Sequence, residues 1–431
     1  MSSRFEEKLY VPILPISDRV IDQFISEYKI GAFDTPINIL FWDNYINNLK
    51  RFKSVFSEFG MGNNVYFSCK ANKGFSLLCG AAEEGCGVEV SSYYELIDAL
   101  KYTNKVIASG PGKSYAFLKC AVSNHVLISL DDIAELRALV DMEVRAEVLI
   151  RISDIIEKKS RFGINKSQLD ECLTLIEKSN INLVGFSFHI NNYNLNDRVK
   201  AIKEVIEIVQ NKNLKIQYID IGGGLPVKYC EEAEFQLFLE KNNINMFFNQ
   251  KQVTDFYPYS SKICDIEALR YILLKTVSQL NGVEIIVEPG RSLLANCGIS
   301  IYEVAYLKQL TTGERLIVTN GNINCLSEQW FNSDYLIEPQ LFKKNKKANR
   351  QPILASVAGN LCLEQDIITW RKVKFDFVPE EGDHLIYFNT AGYQMDSNES
   401  SFHKIPLVSK VVAIHSNNYF EIRRDEDYDC K

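Results

Sequence analysis

Between residues 37 and 288 the chain alternates short apolar segments with amphipathic ones, and no other feature limits its fold as tightly. INILFW (37–42), NNVYFSC (63–69), GVEVS (87–91), KVIAS (105–109), VLISL (126–130), EVLIRI (147–152), LVGFSF (183–188), IQYIDI (216–221) and EIIVE (284–288) read as buried parallel strands. SYYELIDALKY (92–102) and DRVKAIKEVIEIVQN (197–211) carry helical periodicity. Sustained strand–helix alternation predicts a parallel α/β fold, and a closed (β/α)8 TIM-type barrel before a doubly wound sheet.

From about residue 300 the pattern becomes strand-like and turn-punctuated, as in ERLIVTN, DHLIYFNT and KVVAIHSNNYFEIRR. The expected organisation is an N-terminal segment (1–35) packing with a β-rich domain, a barrel over 36–300, and the C-terminal β-rich domain over 301–431. Residues 225–282 exceed what a plain βα unit needs and read as an elaborated loop with helices.

With 46% apolar and 24% charged residues, the composition is that of a soluble globular protein. No run is long and apolar enough to span a membrane, and MSSRFEEKLYVPILPIS lacks a signal pattern, so a cytoplasmic location is expected. A net charge of −7 without a basic block argues against nucleic acid as a partner. The eleven cysteines include no CxxC pair, so reduced thiols are expected, with neither disulfides nor a metal site.

Five segments carry candidate chemistry. In YFSCKANK, Lys70 follows a buried strand; at a barrel strand's C-terminal end it would face the active-site mouth, where desolvation makes an amine nucleophilic toward aldehydes. A solvated surface lysine is the plainer alternative. Gly222, Gly223 and Gly224 in IDIGGGLP allow backbone amides to approach a phosphate, or simply make a tight turn. In VEPGR, Glu288 ends a strand and Gly290 with Arg291 forms a second phosphate-capable turn; a surface turn with a salt-bridged glutamate is the other reading. A carboxylate beside a pyridine nitrogen keeps that nitrogen protonated, which makes the ring a better electron sink. His189 in GFSFHIN sits at a strand end, as a structural or a site histidine. Cys362 in GNLCLEQD is either a proton donor or a buried small hydrophobe.

Taken in order, Lys70, Glu89 in GCGVEVSS, His189, IDIGGGLP, EPGR, GNLCLEQD and NTAGYQMD resemble the alanine-racemase-fold decarboxylases dependent on pyridoxal 5′-phosphate, such as the diaminopimelate and ornithine enzymes. The resemblance implies a homodimer with two shared active sites and a small amino-acid substrate. Lys70 would carry the cofactor, Glu89 would lie near its amine in a slot usually held by aspartate, and His189 would stack on the cofactor ring. Gly222, Gly223, Gly224, Gly290, Arg291 and Tyr393 would hold the phosphate, and Glu288 the pyridine nitrogen. Cys362 would reach in from the other subunit to protonate the α-carbon after CO₂ leaves. Arg161 in SRFG matches the family's basic residue and, with Asn191 and Glu364, would meet the substrate.

Three departures bear on that substrate. Leu363 stands where diamine-specific relatives place an acid after the cysteine, and the acid comes one later, at Glu364. Asn191 and Asn192 replace a Gly-Ser pair after the histidine, and Ala391-Gly392-Tyr393 replaces Gly-Ala-Tyr. The GNLC and AGYQMD forms are similar to the citryl-diaminopropionate decarboxylases of carboxylate-siderophore biosynthesis, which implies a conjugate with an anionic far end. Asn191, Asn192, Arg371 and WFNSD (330–334) are candidates to recognise it, although Arg371 reads more simply as a surface residue. The alternatives are a diaminopimelate, D-ornithine or D-lysine decarboxylase, and a catalytically silent regulatory homologue.

Overall fold

The computed structural model describes residues 18–28, 36–156, 160–251, 256, 262–326, 329–330, 333–334, 338–416 and 419–429. These fall into two compact units, one built from Tyr45–Pro226 and Ile263–Leu293 with the C-terminal end, the other from the described parts of Met1–Asn44, Val227–Lys262 and Leu294–Asp427.

The first strand, β1 (Ile37–Phe41), belongs to the second unit. The next eight form the first unit's parallel sheet in chain order: β2 (Tyr66–Ser68), β3 (Gly87–Val90), β4 (Val106–Ala108), β5 (Leu127–Leu130), β6 (Ala146–Arg151), β7 (Ile181–Ser187), β8 (Tyr218–Asp220) and β9 (Glu284–Ile286). The Tyr66 amide donates to Val287 O at 2.9 Å and the Val287 amide to Asn64 O at 3.1 Å, which closes the ring into a TIM-type barrel. Val88, Val90, Ile107, Ile128, Leu149 and Ile219 are fully buried. Each contributes roughly 1.5–3 kcal/mol by leaving water, which explains why these strands read as unbroken apolar runs.

Helices start soon after the strands' C-terminal ends because polar residues cap them there. Ser92 accepts the Glu95 amide ahead of helix Tyr93–Leu100, and Glu95 accepts the Ser91 amide in return. Asp132 caps Ile133–Asp141, and Asn194 caps Leu195–Asn211. The register aligns the strand ends, pairing Ser68 with Glu89, Arg151 with Ser187, and Ser187 with Asp220.

In the second unit, β10 (Gly298–Gln309) pairs antiparallel with β1, with β11 (Arg315–Thr319) and with strand His384–Phe388. Strands Ile353–Ala358, Ile367–Phe375, Ser409–Ser416 and Tyr419–Arg424 extend the sheet. Tyr302 and Tyr387 meet edge-on at 5.3 Å in its core.

Two expectations require correction. INILFW is not a barrel strand: β1 pairs in parallel with Ser409–Ser416 and antiparallel with β10. Locally it is indistinguishable from a barrel strand, being buried along its whole length and followed by helix Trp42–Glu58, and only its long-range partners decide. The described residues of 227–262 are likewise no barrel loop, since Phe235, Phe238 and Phe247 bury into the second unit's core.

Candidate active site

The barrel strands deliver polar side chains to one place, their C-terminal ends. Lys70 lies in the single 3-10 turn Cys69–Ala71 that follows β2. Its Nζ stands 3.2 Å from Glu89 Oε2 and 3.3 Å from Oε1, with the lysine side chain 44% exposed and the glutamate fully buried. The Ser68 hydroxyl donates to Glu89 Oε2 and the Ser91 hydroxyl to Oε1 at 2.9 Å. Burial alone would raise the Glu89 carboxyl, but the Lys70 ammonium and the two hydroxyls outweigh it and hold the group below the usual carboxylate range. The lysine thus has a fixed counter-charge while its amine remains reachable.

On the strands that follow next around the closed ring, β9 and β8, Glu288 and Asp220 form a carboxyl pair. Burial and the neighbouring charges of Asp220 and Glu89 push Glu288 well above the ordinary value, and burial pushes Asp220 up to about 7. Two like charges in one buried site cannot both ionise cheaply, so the pair shares a proton, carried on Glu288. Ser109 donates to Glu288 Oε1 at 3.1 Å, and the Gly222 amide donates to Asp220 Oδ1 at 2.8 Å.

His189 follows β7 with its ring reachable from the barrel mouth. The protein packed around it, and then the cations of Lys70, Arg151 and Arg198, pull the imidazole down to about 3. It is therefore neutral across the physiological range. The glycine triplet lies against it: a Cβ at Gly222 would stand 2.8 Å from His189 Nδ1, one at Gly223 2.6 Å from Glu288 O, and one at Gly224 2.7 Å from Arg198 Nη2. Gly222 and Gly224 have φ of +65° and +74°, so any side chain there meets both a strained backbone and a clash.

The remaining predicted residues divide by unit. Gly290 is buried just after Glu288, and its carbonyl accepts the Leu293 amide at 3.1 Å; Arg291 follows, half-buried. Asn191 is exposed in the loop after His189, and Asn192 donates to Asp197 at 3.2 Å. Arg161 is exposed and stacks on Phe162 at 3.9 Å, a ring that Arg151 also approaches at 4.7 Å. The second unit carries Cys362, Glu364 and Tyr393. Cys362 is the one exposed cysteine among those described, and Leu363 and Glu364 beside it are exposed too. Asp366 shapes that loop by accepting the amides of Leu361 at 2.6 Å and Ile323 at 2.9 Å. Tyr393 turns the chain at φ +73°. Arg371 is not on the surface; it is buried, 2.8 Å from Glu338. Phe331 and Asn332 of WFNSD lie outside the described residues.

Residues 45–295 match the family model for the pyridoxal-binding domain of pyridoxal-dependent decarboxylases. This chain belongs to that family. Among its relatives, an uncharacterized protein of Sinorhizobium fredii, y4yA, is 31% identical, the match covering 93% of each chain. The diaminopimelate decarboxylase of Aquifex aeolicus is 24% identical over 92% of this chain and 91% of its own length. A solved structure of a mutant diaminopimelate decarboxylase from Helicobacter pylori, complexed with L-lysine, superposes with a TM-score of 0.73 at 19% identity, covering 94% of this chain and 98% of that one.

The decarboxylase therefore depends on pyridoxal phosphate, and the barrel's donor set has the chemistry that group requires. It offers an accessible amine with a buried counter-ion, a proton-bearing carboxyl pair, a neutral imidazole, and a glycine loop in which the amides of Gly223, Gly224 and Leu225 have no acceptor among the described residues.

The sequence reading passed over Ser68, Ser91, Ser109, Asp220 and Arg198. Asp220 was discoverable as the one acid inside the mainly apolar run IQYIDI. Arg198 was discoverable from helical spacing, because it shares a face with Ala201, Ile202 and Val205, all buried.

Proposed function

We propose that this decarboxylase removes the α-carboxylate of a modified diamino acid whose far end is not a plain ammonium, with citryl-diaminopropionate, and through it carboxylate-siderophore biosynthesis, as the leading candidate. The observation that carries the reading of the site is the Lys70–Glu89 contact at the mouth of the barrel, with the proton-bearing Asp220–Glu288 pair on the neighbouring strands. When bound, pyridoxal phosphate supplies the electron sink that lets the bond to the carboxylate break.

The protein's own groups then have assignable tasks. Lys70 would hold the cofactor carbonyl through its amine, and Glu89 would keep that amine oriented. Glu288 would offer its proton to the ring nitrogen, which would strengthen the sink. His189, being neutral, would stack on the ring without adding charge to it. Gly222, Gly223, Gly224, Gly290, Arg291 and Tyr393 would hold the phosphate. Cys362 of the partner subunit in a homodimer would supply the proton to the α-carbon after loss of CO₂. Arg161, Asn191 and Glu364 meet the substrate.

The substrate reading is supported by Leu363, an exposed apolar side chain where diamine-specific enzymes of this fold place an acid. The names of the diaminopimelate decarboxylase relatives favour a second reading, a free amino acid such as diaminopimelate, with D-ornithine and D-lysine as the other candidates. CO₂ release from citryl-diaminopropionate, diaminopimelate, D-ornithine and D-lysine, each at equal concentration, separates the two. Turnover of the conjugate at least about tenfold above any free amino acid supports the first reading. Preference for a free diamino acid refutes it.

A further inference from the structure

The helix Leu195–Asn211 buries one cation completely. Arg198 is fully enclosed, and its guanidinium donates to four backbone carbonyls: Nη1 to Asn192 O at 2.7 Å, and Nη2 to Ile190 O at 3.1 Å, Gly223 O at 3.3 Å and Gly224 O at 2.8 Å. Two of these carbonyls belong to the loop that carries His189, and two to the glycine loop. An arginine has a planar fork of donors that can serve several acceptors in fixed directions, and a lysine does not.

The carbonyl directions fix the amides. In a trans peptide the C=O of one residue and the N–H of the next point in opposite directions, and the described residues contain no cis bond. With Gly223 O and Gly224 O drawn to Arg198, the amides of Gly224 and Leu225 are turned away from the guanidinium. Neither has an acceptor among the described residues. On the other side of the triplet, Asp220 fixes the Gly222 amide and Gly222 O accepts the Glu288 amide at 3.0 Å. The glycine loop is thus clamped from two directions, with its outward amides left to an anion.

We infer that Arg198 is the positioning residue of the cofactor's phosphate cradle, aligning the Gly224 and Leu225 amides through their own carbonyls and tying that cradle to the His189 loop. The inference rests on the assignment of the glycine triplet to the phosphate.

The test compares two carbonyl ligands that differ only in the phosphate. Full-length protein is cleared of carbonyls with hydroxylamine, dialysed, and titrated with pyridoxal 5′-phosphate and with pyridoxal, bound ligand being read by visible absorbance. Wild type should prefer the phosphorylated form strongly. Arg198→Gln should lose that preference at least about tenfold while its affinity for pyridoxal changes little. Arg198→Lys, which keeps the charge and most of the volume but cannot reach four carbonyls, should fall between. Because it replaces the arginine more conservatively, it carries the test if the glutamine variant does not fold. A folded Arg198→Lys or Arg198→Gln protein with the wild-type preference overturns the inference. A wild type that binds both ligands alike instead overturns the assignment of the triplet to the phosphate.

Discussion

Asp220 and Glu288, one at the end of β8 and the other just beyond β9, share a hydrogen bond deep in the barrel and hold one proton between them. Residues adjacent in the ring but 68 positions apart in sequence are joined by the register that pairs Asp220 with Ile286. The consequence is an acid that holds its proton far more tightly than an ordinary glutamate, placed on the strand beside Lys70.

That pairing sets a pH dependence whose sign is opposite to the ordinary carboxylate case. Asp220 is raised from 3.8 to about 7, so the folded protein binds the proton more tightly than the unfolded chain. The stability this gives is complete below about pH 4 and is lost as pH rises through about 7. Asp220→Asn removes the ionisation, while its amide oxygen can still accept the Gly222 amide. In cofactor-free protein the variant should lose less stability between pH 5 and pH 7.5 than wild type, by on the order of 2 kcal/mol, measured by urea unfolding at both pH values. Equal losses would show that Asp220 takes up no proton in this window.

Lys70 is proposed to bind the cofactor covalently, and reduction makes the bond permanent. Borohydride treatment of the holoenzyme should label the peptide spanning residues 66–73. Lys70→Ala should abolish the visible absorbance of bound cofactor and lower CO₂ release on the order of a thousandfold or more, a loss of about 4 kcal/mol in transition-state stabilisation. Label on a different peptide, or full turnover in the variant, contradicts the assignment.

His189 should not titrate in the working range. Its imidazole is held down to about 3 by burial and by Lys70, Arg151 and Arg198, so it stays neutral from pH 5 to 8. A depressed histidine gives stability that is present above about pH 6.5 and lost as pH falls toward 3. The Cε1 proton of His189, assigned among five histidines by its loss in His189→Gln, should keep a constant chemical shift between pH 5 and 8. A midpoint inside that window would show that burial and the cations together do not hold the ring down as described.

Much of the barrel was legible because its strands are buried on both faces, which removes polar residues from them and leaves recognisable apolar runs. β1 had the same signature, yet its partners are β10 and Ser409–Ser416, and no local pattern encodes a partner so distant. Arg371 was misread as a surface residue although strand alternation carried the answer. It lies on the face shared by Ile367, Thr369, Val373 and Phe375, all buried, and Glu338 satisfies its charge. The polar residues at the strand ends were found where they stood next to glycine or a recognisable motif, as Lys70, His189 and Glu288 do. Ser68 and Ser109 were missed because a single hydroxyl at the end of an apolar run announces nothing until register brings its neighbours alongside.

If Cys362 serves the barrel of a second subunit, two inactive variants should repair each other. Lys70→Ala damages the barrel side of a site and Cys362→Ala the side supplied by the other chain. In a homodimer with two shared sites, a mixed dimer of these variants has one site with both defects and one with neither. Random reassortment of an equal mixture makes about half the dimers mixed, each with one of two sites intact, so activity should recover to about one quarter of wild type. The check is CO₂ release before and after dissociation and reassembly of the mixture. Recovery near that level requires Cys362 to act in trans. No recovery, from a mixture shown by differential tagging to contain mixed dimers, places Lys70 and Cys362 of each site on the same chain or leaves Cys362 out of the chemistry.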